Sequence, residues 1–157
     1  MDKQLQKLQY QLDEMEQKIP FLKSKAPEIS KATVGWHLDH DLRVILAVIS
    51  GLENSEPQAY KRSFSWKKKL VFLLNKIPRG KARAPRRVIP DGEISAEELE
   101  DKIKTTRKKL NSFQTLPENA FFEHPFFGHL RKEETPKFLV IHTEHHLKIV
   151  RDILKDK

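Results

Sequence analysis

The chain contains no cysteine. Disulfides and thiolate metal ligands are therefore excluded, and any metal must be held by histidine, aspartate or glutamate. Only five glycines occur in 157 residues, and none forms the glycine-rich loop that cradles phosphate. No Ser-His-Asp spacing is apparent. No uncharged run approaches the roughly 20 residues needed to span a bilayer. The opening MDKQLQKLQYQLDEMEQ is charged and lacks the apolar stretch of a secretory leader. These absences predict a cytoplasmic protein with no transmembrane segment. There are no internal repeats, and no stretch alternates apolar and polar residues over the length of a strand.

What is present suits one globular domain spanning residues 1–157. The hydrophobic fraction of 38% can build a core, and the charged fraction of 33% can cover it. The formal charge of +8 keeps anionic partners in play.

The apolar residues fall in helical steps. Leu5, Leu8, Leu12, Met15, Ile19 and Leu22 advance by threes and fours and stop near Pro20. A second helix is expected from about Thr33 to Leu52. Leu38, Leu42, Ile45, Ile49 and Leu52 make one stripe there, and His40, Val44, Ala47 and Gly51 make another on roughly the opposite side. A helix apolar on two faces lies between neighbours, and the small residues leave room for another helix to approach. A short helix is expected over Trp66 to Ile77. IPRGKARAPRRVIPDGE, with three prolines and two glycines, then reads as a long loop. Ser95 and Glu98 form a capping-box start for a helix to about Phe113. LPENAFFEHPFFGHL reads as a packed aromatic loop. Thr135 is placed as the cap of the last helix, with Pro136 in its first turn. The predicted fold class is all-α, an antiparallel four-helix bundle with one extra short helix and a long basic loop.

The seven histidines are His37 and His40 on the second helix, then His124, His129, His142, His145 and His146. In PKFLVIHTEHHLKIVRDIL, His142 and His146 fall about 40° apart on a helical projection, in the middle of the apolar stripe. Residues four apart on a helix have Cβ atoms about 5–6 Å apart, so two such imidazoles can converge on one ion at about 2.0–2.1 Å. The alternative is a pair of satisfied core histidines. The third ligand must come from elsewhere. His40, on the small-residue stripe, is the first candidate and His37, one turn earlier, the second. His145 reads as a pocket residue, and His124 and His129 as loop structure. Asp39, Asp41 and Glu144 point elsewhere on their helices and are expected to be solvated, although one could orient an imidazole.

A second anomaly lies between Pro57 and Pro90. Eleven lysines and arginines occur there without one acid, interleaved with Trp66, Leu70, Phe72, Leu73 and Leu74. A solvated basic surface beside a docked amphipathic helix is the plain reading. Steering of an anionic substrate, or binding of nucleic acid or anionic lipid, are the functional ones. No helix-turn-helix or zinc-finger pattern supports nucleic acid.

Three sets of residues carry a family resemblance: KATVGWHLDHDLRVI, with Thr33 seven residues before His40; the loop KIPRGKARAP; and HPFFGHLRKEETPKFLVIHTEHHLKIV. Over residues 33–150 the chain resembles the DinB/YfiT-like superfamily of metalloenzymes, in the branch with an HPFFG loop and an H-x-x-H-H final helix. The resemblance implies a four-helix bundle and a three-histidine metal site of His40, His142 and His146. It further implies a small-molecule substrate, since members include transferases that use a low-molecular-weight thiol and others suspected of hydrolysis. The ion would be divalent. Imidazole suits zinc, nickel or iron, and the sequence does not choose among them. A non-enzymatic metal-binding protein is the alternative, and a homodimer is left open.

In a simple up-down arrangement, His40, His142 and His146 share one end of the bundle. FFEHPFFGHL would wall the pocket there, and the basic loop would lie at the opposite end as a surface feature.

Overall fold

The computed structural model describes residues 2–62, 64–80 and 84–155. It is mostly helical, with five α-helices and one small two-stranded sheet. The helices are α1 (Lys3–Lys18), α2 (Val34–Glu53), α3 (Trp66–Leu74), α4 (Ala96–Asn111) and α5 (Thr135–Leu154).

Local chemistry fixes most of the boundaries. Asp2 accepts from the Gln4 amide at 2.7 Å and starts α1, which tightens into a single 3-10 turn over Ile19–Phe21 where Pro20 removes a backbone donor. Thr33 accepts from the Trp36 amide at 3.2 Å and starts α2. Ser95 and Glu98 make the expected reciprocal capping box of α4, both bonds at 3.2 Å. The last helix starts differently from the expectation. A 3-10 turn over Lys132–Glu134 leads into it, Glu134 occupies the cap position, and Thr135 is already helical. The Thr135 hydroxyl instead donates back to the Arg131 carbonyl at 2.9 Å.

The four long helices pack in a ring: α1 and α2 each contact both α4 and α5. Leu8, Leu12, Met15, Leu42, Ile45, Leu99, Leu139, Leu147 and Val150 are fully buried between them. Burial of a side chain of this kind contributes about 1.5–3 kcal/mol, so the apolar stripes of four helices supply the core. α2 is buried around nearly its whole first half, from Val34 to Leu42, apart from Trp36. Asp39 is enclosed there and receives hydrogen bonds from Arg43 and from Lys102 of α4. The expectation that Asp39 is solvated is therefore corrected.

The aromatic segment is not a loop. β1 (Phe121–His124) and β2 (Gly128–Arg131) form an antiparallel hairpin in which Phe122 faces Leu130 and His124 faces Gly128. Pro125, Phe126 and Phe127 make the turn, and Gly128 takes the positive φ of 70° that a three-residue hairpin requires. This hairpin fills the space beside the small-residue stripe of α2 that was assigned to a helix. A Cβ on Gly51 would stand 3.0 Å from the Phe122 Cβ, so glycine there permits the approach.

Among the described residues, no helix is long and apolar enough to cross a membrane.

Candidate metal centre

α2 and α5 pack against each other, with His37 and His40 near the start of α2 and His142 and His146 in the middle of α5. They bring His40, His142 and His146 together, with one ligand-capable atom from each lying within 4.8 Å of the others. The ring centroids are 5.6 Å apart for His40 and His142, 4.8 Å for His40 and His146, and 4.7 Å for His142 and His146. His40 and His146 are buried, and His142 is nearly so.

Each imidazole is held by its Nδ1. His40 donates from Nδ1 to the Val88 carbonyl at 2.7 Å. His142 donates from Nδ1 to Asp41 Oδ1 at 2.6 Å. His146 Nδ1 lies 3.0 Å from His37 Nδ1, and His37 Nε2 lies 3.0 Å from the Ser30 hydroxyl. One assignment of protons satisfies this chain and frees His146 for coordination: His146 donates to His37, and His37 donates on to Ser30. The Ser30 oxygen also accepts from the Ala32 amide at 3.1 Å, which uses its two acceptor positions. In all three rings Nε2 is then the unprotonated nitrogen. Partners at the far nitrogen are what orient metal-binding imidazoles and fix their tautomers.

The electrostatics suit neutral donors. Burial lowers His40 below the ordinary imidazole range, with His142 as a like-charged neighbour. Burial lowers His146 much further, reinforced by His142 and His40. Burial takes His37 and His145 down to about 4. Imidazole must be unprotonated to bind a metal, and these surroundings keep it so at neutral pH. Trp36 stacks on His40 at 5.0 Å between centroids, with 13° between planes, and closes one side of the cluster.

Two sequence expectations are corrected here. Asp41 is not solvated: it is fully buried and holds His142, while its Oδ2 has no partner among the described residues. It follows His40 directly, and no periodicity could have marked it, because α2 is enclosed on the side facing α5 as well as on its leucine stripe. Glu144 is only partly buried and serves a surface network, accepting from Gln11 at 3.3 Å and from Arg151 at 2.8 Å.

The second correction concerns the basic loop. It does not lie at the opposite end. α3 is only nine residues long, and the chain after it returns across the histidines. The Ile77 carbonyl accepts from His145 Nδ1 at 3.1 Å, and the Val88 carbonyl holds His40. Val88 itself is buried at 4% exposure. Ile77, partly buried against the core, and the buried Val88 anchor the loop on the site and carry its basic neighbours with them. Arg79 pairs with Asp152 of α5 at 2.6 Å. Lys81 and Arg83 lie outside the described residues.

These elements enclose a cavity of about 570 Å³, within the range that holds a small organic ligand. His40, His142 and His146 line it, as does His145. Its other walls are mostly apolar, with Trp36, Val44, Val71, Phe122, Phe127 and Phe138 among them. The hairpin does wall the pocket. His124 lines it too and stacks on Phe127 at 4.2 Å. Its Nδ1 accepts from the Phe126 and Phe127 amides at 3.1 and 3.2 Å, holding the hairpin turn. His129 Nδ1 accepts from the Lys61 amide at 2.9 Å and ties the hairpin to the segment before α3. Both hold the hairpin through backbone amides, and neither belongs to the group of His40, His142 and His146.

Residues 3–153 match the family described as Protein of unknown function (DUF1569), and the chain belongs to that family. No curated protein and no solved structure matches it.

Proposed function

From membership of a family without an assigned activity, we propose that this chain is a metal-dependent enzyme. Its ion is divalent and held by Nε2 of His40, His142 and His146. The observation that carries the reading is the locking of all three imidazoles through Nδ1 beside an apolar cavity. Core histidines with no ligand would have no need to converge their free nitrogens. We further assign the ring of long helices to an antiparallel four-helix bundle of the DinB/YfiT-like kind, and the whole chain to one domain.

Three neutral ligands and no cysteine leave the ion its full charge and room for a further ligand. When bound, a divalent ion supplies Lewis acidity and lowers the pKa of a coordinated water or thiol. The protein's own groups do the rest. Asp41 and the Val88 carbonyl keep His142 and His40 in their coordinating tautomers. His37 does the same for His146. Trp36, Phe122 and Phe138 exclude water from the cavity, which strengthens every interaction inside it. His145 is neutral at pH 7, and with Nδ1 donating to Ile77 it offers an unprotonated Nε2 as hydrogen-bond acceptor to a molecule in the cavity. Transfer to or from a low-molecular-weight thiol, or hydrolysis, are the reaction classes such a site serves.

Metal analysis of the purified protein tests the assignment. The wild type and the His129→Ala variant should each carry about one divalent ion per chain, and His142→Ala and His146→Ala should carry almost none. Full metal retention by His40→Ala would remove that residue from the site and direct attention to His37.

A further inference from the structure

α3 is an amphipathic helix turned the wrong way out. Trp66, Leu70, Leu73 and Leu74 follow the i, i+4, i+7, i+8 spacing and form one stripe about 100° wide. In a surface helix that stripe normally faces the core. Here it faces outward: Leu73 is 79% exposed, Trp66 62%, Leu74 60% and Leu70 44%. The helix is attached by the flank instead, through Val71, its only buried residue, and the half-buried Phe72. Phe64, at 77% exposure, and Phe126 of the hairpin turn, at 43%, extend the exposed apolar surface at either side. Lys67 reaches over the Phe126 ring and Lys69 over the Phe64 ring, at 5.9 and 4.7 Å from the centroids.

Charge identifies what this face meets. On the helical projection Lys67 and Lys69 flank the stripe on its two sides. The segment from Pro57 to Pro90 contains no acid at all. Of its cations, Lys68 and Arg79 are paired, with Glu134 and Asp152. No described carboxylate pairs with Lys67, Lys69, Lys76 or Arg87, and all four are exposed. A second copy of the chain would bring like charges face to face in a symmetric contact. Nucleic acid would satisfy the cations but gives aliphatic Leu73 and Leu74 nothing to bury against. An exposed apolar stripe bordered by lysines, with an aromatic residue at its end, fits the interface of an anionic bilayer.

We propose that α3 and the adjoining hairpin turn dock on anionic lipid, with Trp66, Leu70, Leu73 and Leu74 in the acyl boundary and Lys67 and Lys69 at the headgroups. Trp66, Lys67, Leu70 and Phe126 also line the cavity of the histidine cluster. The docked protein thus holds the mouth of its cavity against the lipid. The docking itself does not depend on a metal.

Vesicles test this directly. The full chain is sedimented with vesicles of phosphatidylcholine alone and of phosphatidylcholine with phosphatidylglycerol, at about 0.1 M salt, where charges within roughly 10 Å still act. Binding is expected only with phosphatidylglycerol, together with a blue shift of tryptophan emission. The chain has two tryptophans, and Trp66→Phe should abolish the shift while Trp36 stays silent. The double variant Leu73→Glu, Leu74→Glu alters two exposed side chains, so its helicity should be unchanged, and its partitioning should fall at least tenfold. His146→Ala should bind vesicles like the wild type, which separates this test from the metal reading. Undiminished binding by the double glutamate variant would overturn the proposal, as would adsorption without any blue shift. Self-association broken by the same variant, in protein that ignores vesicles, would assign the face to a second copy. Retention of a DNA or RNA oligonucleotide without vesicle binding would assign it to nucleic acid. Either result would also overturn it.

Discussion

The histidine cluster and α3 sit at the two sides of one cavity and depart from ordinary burial in opposite directions. At the cluster, polar groups go inside: Asp41 is fully buried and His40 is 3% exposed. On α3, apolar groups go outside, with Leu73 at 79%. On the buried side each imidazole of the cluster has a partner. Val88, Asp41 and His37 each occupy one imidazole nitrogen, because an unpaired buried polar group costs about 1–3 kcal/mol. The exposed side has no such network, since an exposed leucine forgoes burial but strains nothing. A departure fixed by its neighbours inside the fold points to a ligand that enters the fold. A departure left open to solvent points to a partner that covers it.

The largest effect should come from loosening one of the buried holders. Asp41→Asn preserves shape but removes the charge that fixes the His142 tautomer. Metal affinity should drop by about 10–100-fold, read by competition with a chromogenic chelator. An unchanged affinity would break the distinction between the two regions, because the buried partners would then be incidental.

A smaller effect should follow from acid. Burial takes His124 down to about 4, with His142 as a like-charged neighbour, and its Nδ1 must be unprotonated to accept from the turn amides. The unfolded chain takes up this proton near pH 6.5 and the folded chain only near 4. The contribution of His124 to stability is therefore complete above about 6.5 and is lost as the pH falls towards 4. Melting temperatures of metal-free protein should decline across that window, more steeply for the wild type than for His124→Asn. Parallel declines would show that the hairpin is not latched by this residue.

The smallest effect is expected on the exposed side. Leu73→Glu should change stability by no more than about 0.5 kcal/mol, whereas Leu42→Ala, in the fully buried core of α2, should cost about 2–5 kcal/mol. Chemical denaturation of the two variants gives the contrast. A large loss in Leu73→Glu would mean that α3 is buried in solution.

The sequence revealed those parts of the molecule whose information is periodic. The stripes on α1, α2 and α5 and the Ser95–Glu98 box can all be read at fixed spacings. So can the i, i+4 pair His142 and His146 on one helix face. The hairpin could not be read that way, because strands of four residues are too short to display alternation. Gly128, closing a three-residue turn, was the available signal. The return of the basic loop over the site was hidden for a different reason. It depends on the carbonyls of Ile77 and Val88, which belong to the backbone and carry no sequence signature. Asp41 was obscured by the double-sided burial of α2, and the outward face of α3 by the default assumption that an apolar stripe is covered by its own chain.

The central claim is that Nε2 of His40, His142 and His146 meets one ion while Nδ1 of each stays protonated and bound to its present partner. Long-range proton–nitrogen spectra of ¹⁵N-histidine-labelled, metal-free protein, recorded as zinc is added, test this most directly. The account predicts that these three Nε2 resonances shift together to a one-to-one endpoint, with their Nδ1 protons retained and His129 undisturbed. Nitrogen resonances that ignore zinc, or zinc-dependent loss of the Nδ1 protons of His40 and His142, would contradict it.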